Sequence, residues 1–208
     1  MSIKRRTGKH KVFAITFDDG PGTRLTPRIL DLLAKYDTKA TFFLLGRNIT
    51  GRELIVRKIF DEGHEIASHG YDHLNYWKIW PICSIADIKR GRKAIDSVLN
   101  ADIGRYAFRP PYGKLNLVSL LYLLLRRIHI LNWTHDMGDT WTLRQRTKSK
   151  PDEFLDSMRG GVVLIHDFDR DDESVDRMVL QSLCDVLQKG KQVGARFVTC
   201  SQLKNLGN

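Results

Sequence analysis

Short apolar runs alternate along the chain with stretches in which apolar positions recur every three or four residues. The runs at 11–17, 40–45, 65–68, 107–109, 129–133, 161–166 and 197–199 predict strands. Several are apolar without a break, as parallel strands buried on both faces require. Helical periodicity predicts helices over 26–35, 52–62, 84–99, 116–127, 152–159 and 175–189. In the first of these, Ile29, Leu32 and Leu33 repeat at helical spacing. Thr26 is placed to cap its N-terminus, and Pro27 suits the first helical position. Gly63 and Gly190 stand where C-terminal caps belong. Seven strands with helices between them define an α/β class with a parallel sheet. No repeat, low-complexity tract or linker interrupts the pattern, so residues 1–208 read as one domain.

In parallel α/β folds, chemistry gathers where strands end and loops begin. The first predicted strand ends in Asp18-Asp19-Gly20-Pro21. Neighbouring carboxylates point in different directions and can take different roles, although Asp-Gly and Gly-Pro are also ordinary turn formers. The third strand runs into His69, with His73 four residues on. On one helical turn that spacing puts both imidazoles on one face, ready to share a cation. One carboxylate from Asp18 or Asp19 completes a two-His, one-carboxylate set that leaves positions open for water and substrate. The fourth strand ends in Arg109, followed by Pro110-Pro111-Tyr112-Gly113. An arginine at a strand end can hold a carboxylate in its charged form. The fifth strand leads to His135-Asp136-Met137-Gly138-Asp139-Thr140-Trp141, and the sixth delivers His166. A histidine there suits a general acid. Each feature alone is common in structural settings; five of seven strand ends carrying such residues is not.

Composition adds limits. At 208 residues and 42% hydrophobic content, the chain can bury a core without staples. Cys83, Cys184 and Cys200 are far apart and form no CxxC pair, so neither a disulfide framework nor a zinc knuckle is indicated. The basic opening lacks the apolar core and cleavage site of a secretory signal, so a cytoplasmic or a trimmed exported protein is expected. The formal charge of +10 predicts attraction to polyanions or simply a well-solvated surface. No basic-aromatic motif or clustered basic helix accompanies it, so nucleic acid is not an expected partner.

With these residues in place, the chain resembles the polysaccharide deacetylases that carry a NodB-homology domain, carbohydrate esterase family four. The five motifs fall in order over residues 10–202, and the flanking Thr26-Pro27, Ala40-Thr41-Phe42-Phe43 and Glu62-Gly63-His64-Glu65-Ile66 agree. The resemblance implies a distorted (β/α) barrel of about seven parallel strands. It implies that Asp18 is the catalytic base and Asp19, His69 and His73 are the metal ligands. Arg109 corresponds to the arginine that pairs with the base, and Tyr112 to the residue whose backbone N–H faces the developing oxyanion. Asp136 corresponds to the carboxylate that tunes the acid, His166. The implied cofactor is a divalent metal, zinc by ligand type, with cobalt or nickel as alternatives. The implied activity is hydrolysis of an N-acetyl group on an amino sugar in a glycan such as a chitin oligomer or peptidoglycan. Acetylxylan and lipid-linked sugars are the alternative substrates. Two departures stand out: Gly70 replaces the Ser or Thr that usually braces the metal loop, and Thr140 separates Asp139 from Trp141.

Two stretches bear on the setting. Leu117–Leu125, followed by Arg126-Arg127, is apolar nearly all round yet far shorter than the ~18 residues that span a bilayer. It suits either a deeply packed helix or one resting on an anionic membrane surface. Tyr76-Trp77-Lys78-Ile79-Trp80 follows the histidine pair and suits sugar stacking or an interface. A catalytically idle sugar-binding module is the rival reading, against which Asp18, Arg109 and His166 argue. The sequence is silent on oligomeric state.

Overall fold

A computed structural model describes residues 11–99, 107–140 and 153–206. The strands are β1 (Val12–Asp18), β2 (Thr41–Leu44), β3 (Glu65–Ser68), β4 (His135–Asp136), β5 (Gly160–His166) and β6 (Arg196–Val198). The helices are α1 (Leu25–Lys35), α2 (Glu53–Asp61), α3 (Pro81–Leu99), α4 (Leu117–Leu125), α5 (Phe154–Ser157), α6 (Glu173–Gln192) and α7 (Cys200–Asn205). The α/β class expected from the pattern is observed. Two of the seven predicted strands shrink to isolated parallel bridges at Phe108 and Ile130, and β4 and α7 were not anticipated. The chain forms two compact units, Met1–Phe17, Gly22–Thr41 and Trp133–Asn208 in the first, and Asp18–Pro21 and Phe42–Asn132 in the second.

In the first unit β1 is buried at every position; its run is apolar apart from Thr16, whose hydroxyl donates to Val163 O, and the terminal Asp18. It lies between β6 and β5, and β5 carries β4 on its other side. The β1–β6 and β4–β5 ladders are parallel, with Phe13 opposite Phe197 and Asp136 opposite Leu164. α1 and α6 pack together, and the Tyr36 hydroxyl lies 3.4 Å from Cys184 Sγ. Thr26 does not cap α1. It lies inside the first turn, where its hydroxyl accepts from Gly22 N–H and donates to Asp167. The Asp169 carboxylate takes the orphan N–H groups of Thr23, Arg24 and Leu25 instead. Gly190 likewise is not a cap. It lies within α6, where a Cβ would meet the Phe197 ring at 2.4 Å, and Gly194, at φ +67°, follows the helix end.

In the second unit β2 and β3 are neighbours, and Ser68 bridges to Phe108, which bridges to Ile130. α3 and α4 close this unit over a core of Tyr76, Ile88, Phe108, Leu123 and Ile128. Gly63, at φ +78°, ends α2 as expected.

Candidate active site

In the second unit, the chain leaves β1 at Asp18 and turns sharply: Asp19 has φ 71° and the Gly20–Pro21 peptide is cis. The two carboxylates consequently face different partners. Asp18 is buried, and Arg109 Nη1 donates to its Oδ1 at 2.6 Å. Arg109 is itself wholly buried: its Nε donates to Leu131 O, and its guanidinium lies 3.9 Å over the Phe43 ring. A charge held this way is an expensive feature, supported by a short charge-assisted bond.

Asp19 faces the histidines. Its Oδ1 lies 3.5 Å from His69 Nε2 and 3.3 Å from His73 Nε2. That oxygen is buried and has no hydrogen-bond partner. His69 Nδ1 donates to Arg109 O at 2.7 Å, so its Nε2 presents a lone pair. Burial pushes the His69 imidazole down to about 3; the Asp19 carboxylate opposes this, while His73 and Arg109 add to it. The ring is neutral at ordinary pH, the form that ligates metal. The donor atoms of Asp19, His69 and His73 lie within 4.8 Å of one another. An orphaned carboxylate oxygen between two imidazole rings fits a divalent cation, and two nitrogens with one oxygen fit zinc, cobalt or nickel.

The histidines are not on a helix, contrary to the simple reading of their spacing. His69 follows β3, Gly70 has φ +84° and His73 has φ 57°, so an irregular loop folds the second ring back towards the first. Asp87 on α3 holds this loop, accepting from Tyr71 N–H at 3.0 Å, Asp72 N–H at 2.9 Å and the Tyr76 hydroxyl at 2.8 Å. Burial and then the Asp87 charge push the Tyr76 hydroxyl above its ordinary range, so it stays a donor. This explains the departure at Gly70. A Cβ there would sit 2.4 Å from Asp87 Oδ2 and 2.8 Å from the Tyr76 hydroxyl. The brace that a hydroxyl after His69 would supply comes here from α3. Asp87 had no signal in the sequence beyond its place on a helix following the loop.

Tyr112 sits in a tight turn at φ 58°, its ring 4.5 Å from His73. The turn's own hydrogen bonds run from Gly113 N–H to Pro110 O and from Lys114 N–H to Pro111 O, bypassing Tyr112 N–H.

In the first unit, His166 ends β5. Its Nδ1 donates to Asp139 Oδ1 at 3.0 Å, and its backbone N–H donates to Asp139 Oδ2 at 3.0 Å. Arg170 Nη2 donates to the same Oδ2 at 2.7 Å. Burial by itself would raise the Asp139 pKa; the His166 hydrogen bond and the His166 and Arg170 charges override it and hold the group below the usual carboxylate range. Asp136, expected to tune His166, does not contact it. Its Oδ1 accepts from Gly138 N–H at 2.7 Å, forming the turn that carries Asp139 to the histidine. Asp139 and Arg170 are therefore the residues that a reading of strand ends missed. The Asp136-x-x-Asp139 spacing held the signal without saying which carboxylate reaches the ring. Trp141 lies outside the described residues.

Comparison with known proteins places the chain in a family. The family model described as polysaccharide deacetylase matches residues 5–124. A peptidoglycan-N-acetylglucosamine deacetylase of Bacillus cereus is 30% identical over 93% of this chain and 88% of its own length. One from Listeria monocytogenes is 31% identical over 96% of this chain, which spans only 40% of that longer protein. The crystal structure of a peptidoglycan N-acetylglucosamine deacetylase superposes with a TM-score of 0.82 at 30% identity, covering 94% of this chain and 88% of that one.

Proposed function

Because the chain belongs to the polysaccharide deacetylase family, we propose that it is a metal-dependent hydrolase that removes the N-acetyl group from an amino sugar in a glycan. N-acetylglucosamine units of peptidoglycan are the first substrate to test, since the relatives above are named for them. The observation that carries this reading is the orphaned Asp19 oxygen between His69 and His73, next to a buried Asp18–Arg109 pair.

Asp19, His69 and His73 would hold zinc, or else cobalt or nickel. Bound there, such a cation supplies Lewis acidity, lowering the pKa of water and polarising an acyl carbonyl. The chain's own residues do the rest. Asp18 accepts the proton of the attacking water as the new C–O bond forms. Arg109 fixes its orientation and stays charged throughout. The Tyr112 N–H, unused by its own turn, donates to the oxygen on which negative charge builds. His166 gives its proton to the nitrogen as the C–N bond breaks, because an amide anion is a poor leaving group. Asp139 keeps the His166 proton on Nδ1 so that Nε2 is the exchanging atom. The products are a free amine and acetate.

The test is acetate release from N-acetylglucosamine oligomers, peptidoglycan, acetylxylan and lipid-linked sugars, with zinc added and with zinc chelated. Metal-dependent release from an N-acetylated substrate is expected. Release from the ester substrate alone would convert the reading to an O-deacetylase. No release from any of them would leave the rival, a sugar-binding module.

A further inference from the structure

The nine residues of α4 are not deeply packed. Ser119 and Leu123 are buried and Tyr122 packs partly against the core, while Leu117, Val118, Leu121, Leu124 and Leu125 are exposed, Leu125 to 83%. The helix start is knitted to the start of α3 by a Ser84–Ser119 hydroxyl contact and by Asn116 Nδ2 donating to Ser84 Oγ. This sets α4 beside two further exposed apolar side chains, Trp80 at 81% and Ile82. Trp77 joins them, its indole N–H on Leu115 O and Lys114 over its ring. An isolated monomer rarely leaves so many large apolar side chains of neighbouring elements in water.

The charges around the patch identify what covers it. No Asp or Glu occurs between Leu74 and Ala86, or between Tyr112 and Ile130. The same stretches contain Lys78, Lys114, Arg126 and Arg127. A second copy of this face would bring like charges together without a carboxylate to answer them. An anionic lipid surface answers all of them: leucines enter the acyl boundary, tryptophans the interface, and the cations meet the headgroups. No described helix is long and apolar enough to cross a membrane, so the contact is in the plane of the surface. We propose that the α4 face, with Trp77, Trp80 and Ile82, docks this protein on an anionic phospholipid bilayer. Residues 113–116 join this face to Tyr112, whose ring touches His73. Docking therefore holds the metal-site loops near the headgroups and favours an acylated sugar presented at a membrane. That consequence rests on the deacetylase reading; the docking itself does not.

Flotation with phosphatidylglycerol-rich vesicles at low salt tests it. The protein is expected to co-float with these and to stay behind with pure phosphatidylcholine. The variant Leu121→Gln/Leu124→Gln/Leu125→Gln is expected to lose about tenfold or more in partitioning at an unchanged melting temperature. The variant Arg126→Gln/Arg127→Gln should lose about tenfold of the preference for anionic lipid. In the unmodified protein, lipids brominated on their acyl chains should quench tryptophan fluorescence, a readout independent of how any variant folds. Failure to co-float, absence of quenching, or full binding by the folded triple-leucine variant each overturns the proposal. So does a lipid-free dimer that the same variant dissociates, since the face would then belong to a second copy.

Discussion

Two histidine–aspartate groupings, one in each compact unit, use the same residue types to opposite ends. Around Asp19, His69 and His73 the polar atoms are unfinished: a buried carboxylate oxygen has no hydrogen-bond partner, and the imidazole nitrogens facing it lie at 3.3 and 3.5 Å. Around His166 they are complete: Asp139 receives the ring, the backbone N–H and the Arg170 guanidinium. The first arrangement fits a cation, which would answer the orphaned oxygen. In the second, three donors answer the Asp139 carboxylate and one of them holds the His166 ring by its Nδ1. Whether the atoms are satisfied, more than which residues are present, is what separates the proposed metal site from the proposed acid–base pair.

Substitutions can break this contrast, beginning with the largest effect. Asp19→Ala should abolish tight metal binding and reduce deacetylation to background; substantial turnover by a metal-free Asp19→Ala protein would contradict it. His166→Ala should cost about 10²- to 10⁴-fold in kcat with metal content unchanged, read by rate assay and elemental analysis together. A loss of metal there would erase the distinction. Asp87→Ala should weaken metal binding about 10- to 100-fold, as loss of a support behind ligands does, without touching the His166 group. Titration calorimetry would show it. Asp139→Asn should lower kcat about 10-fold or more while Asp136→Asn stays within a few-fold, because only Asp139 reaches the ring.

The smallest expected effect is on stability. The folded Asp139 pKa lies below its ordinary value, so its pairing stabilises fully above the unfolded carboxylate's ~3.9 and is lost as pH falls through that value towards the folded one. Asp139→Asn should therefore flatten the fall in melting temperature between about pH 5 and pH 3. An undiminished fall in the variant would show that this carboxylate is not held charged by its partners.

Much of the site was legible because buried apolar runs are easy to see and chemistry follows them directly. Asp18, Asp19, His69, Arg109 and His166 all stand at or beside ends of such runs. What was not legible depended on backbone turns. Left-handed conformations at Gly70 and His73 replaced the helical turn that four-residue spacing suggested. The Gly138 turn, at φ 66°, decided between Asp136 and Asp139. Packing partners distant in sequence were equally hidden: Phe197 explains Gly190, and Asp87 explains Gly70. The apolar run at 117–125 shows a further limit. Its composition suits burial and a lipid surface alike, and only the exposure of Leu121, Leu124 and Leu125 separates them.

The most direct test of the central claim pairs zinc stoichiometry with acetate release from N-acetylglucosamine oligomers in the wild type, His69→Ala and His166→Ala. The wild type is expected to bind zinc and turn over. His69→Ala should do neither, and His166→Ala should bind zinc and barely turn over. Wild-type rate in a zinc-free His69→Ala protein, or equal zinc loss in both variants, would contradict it.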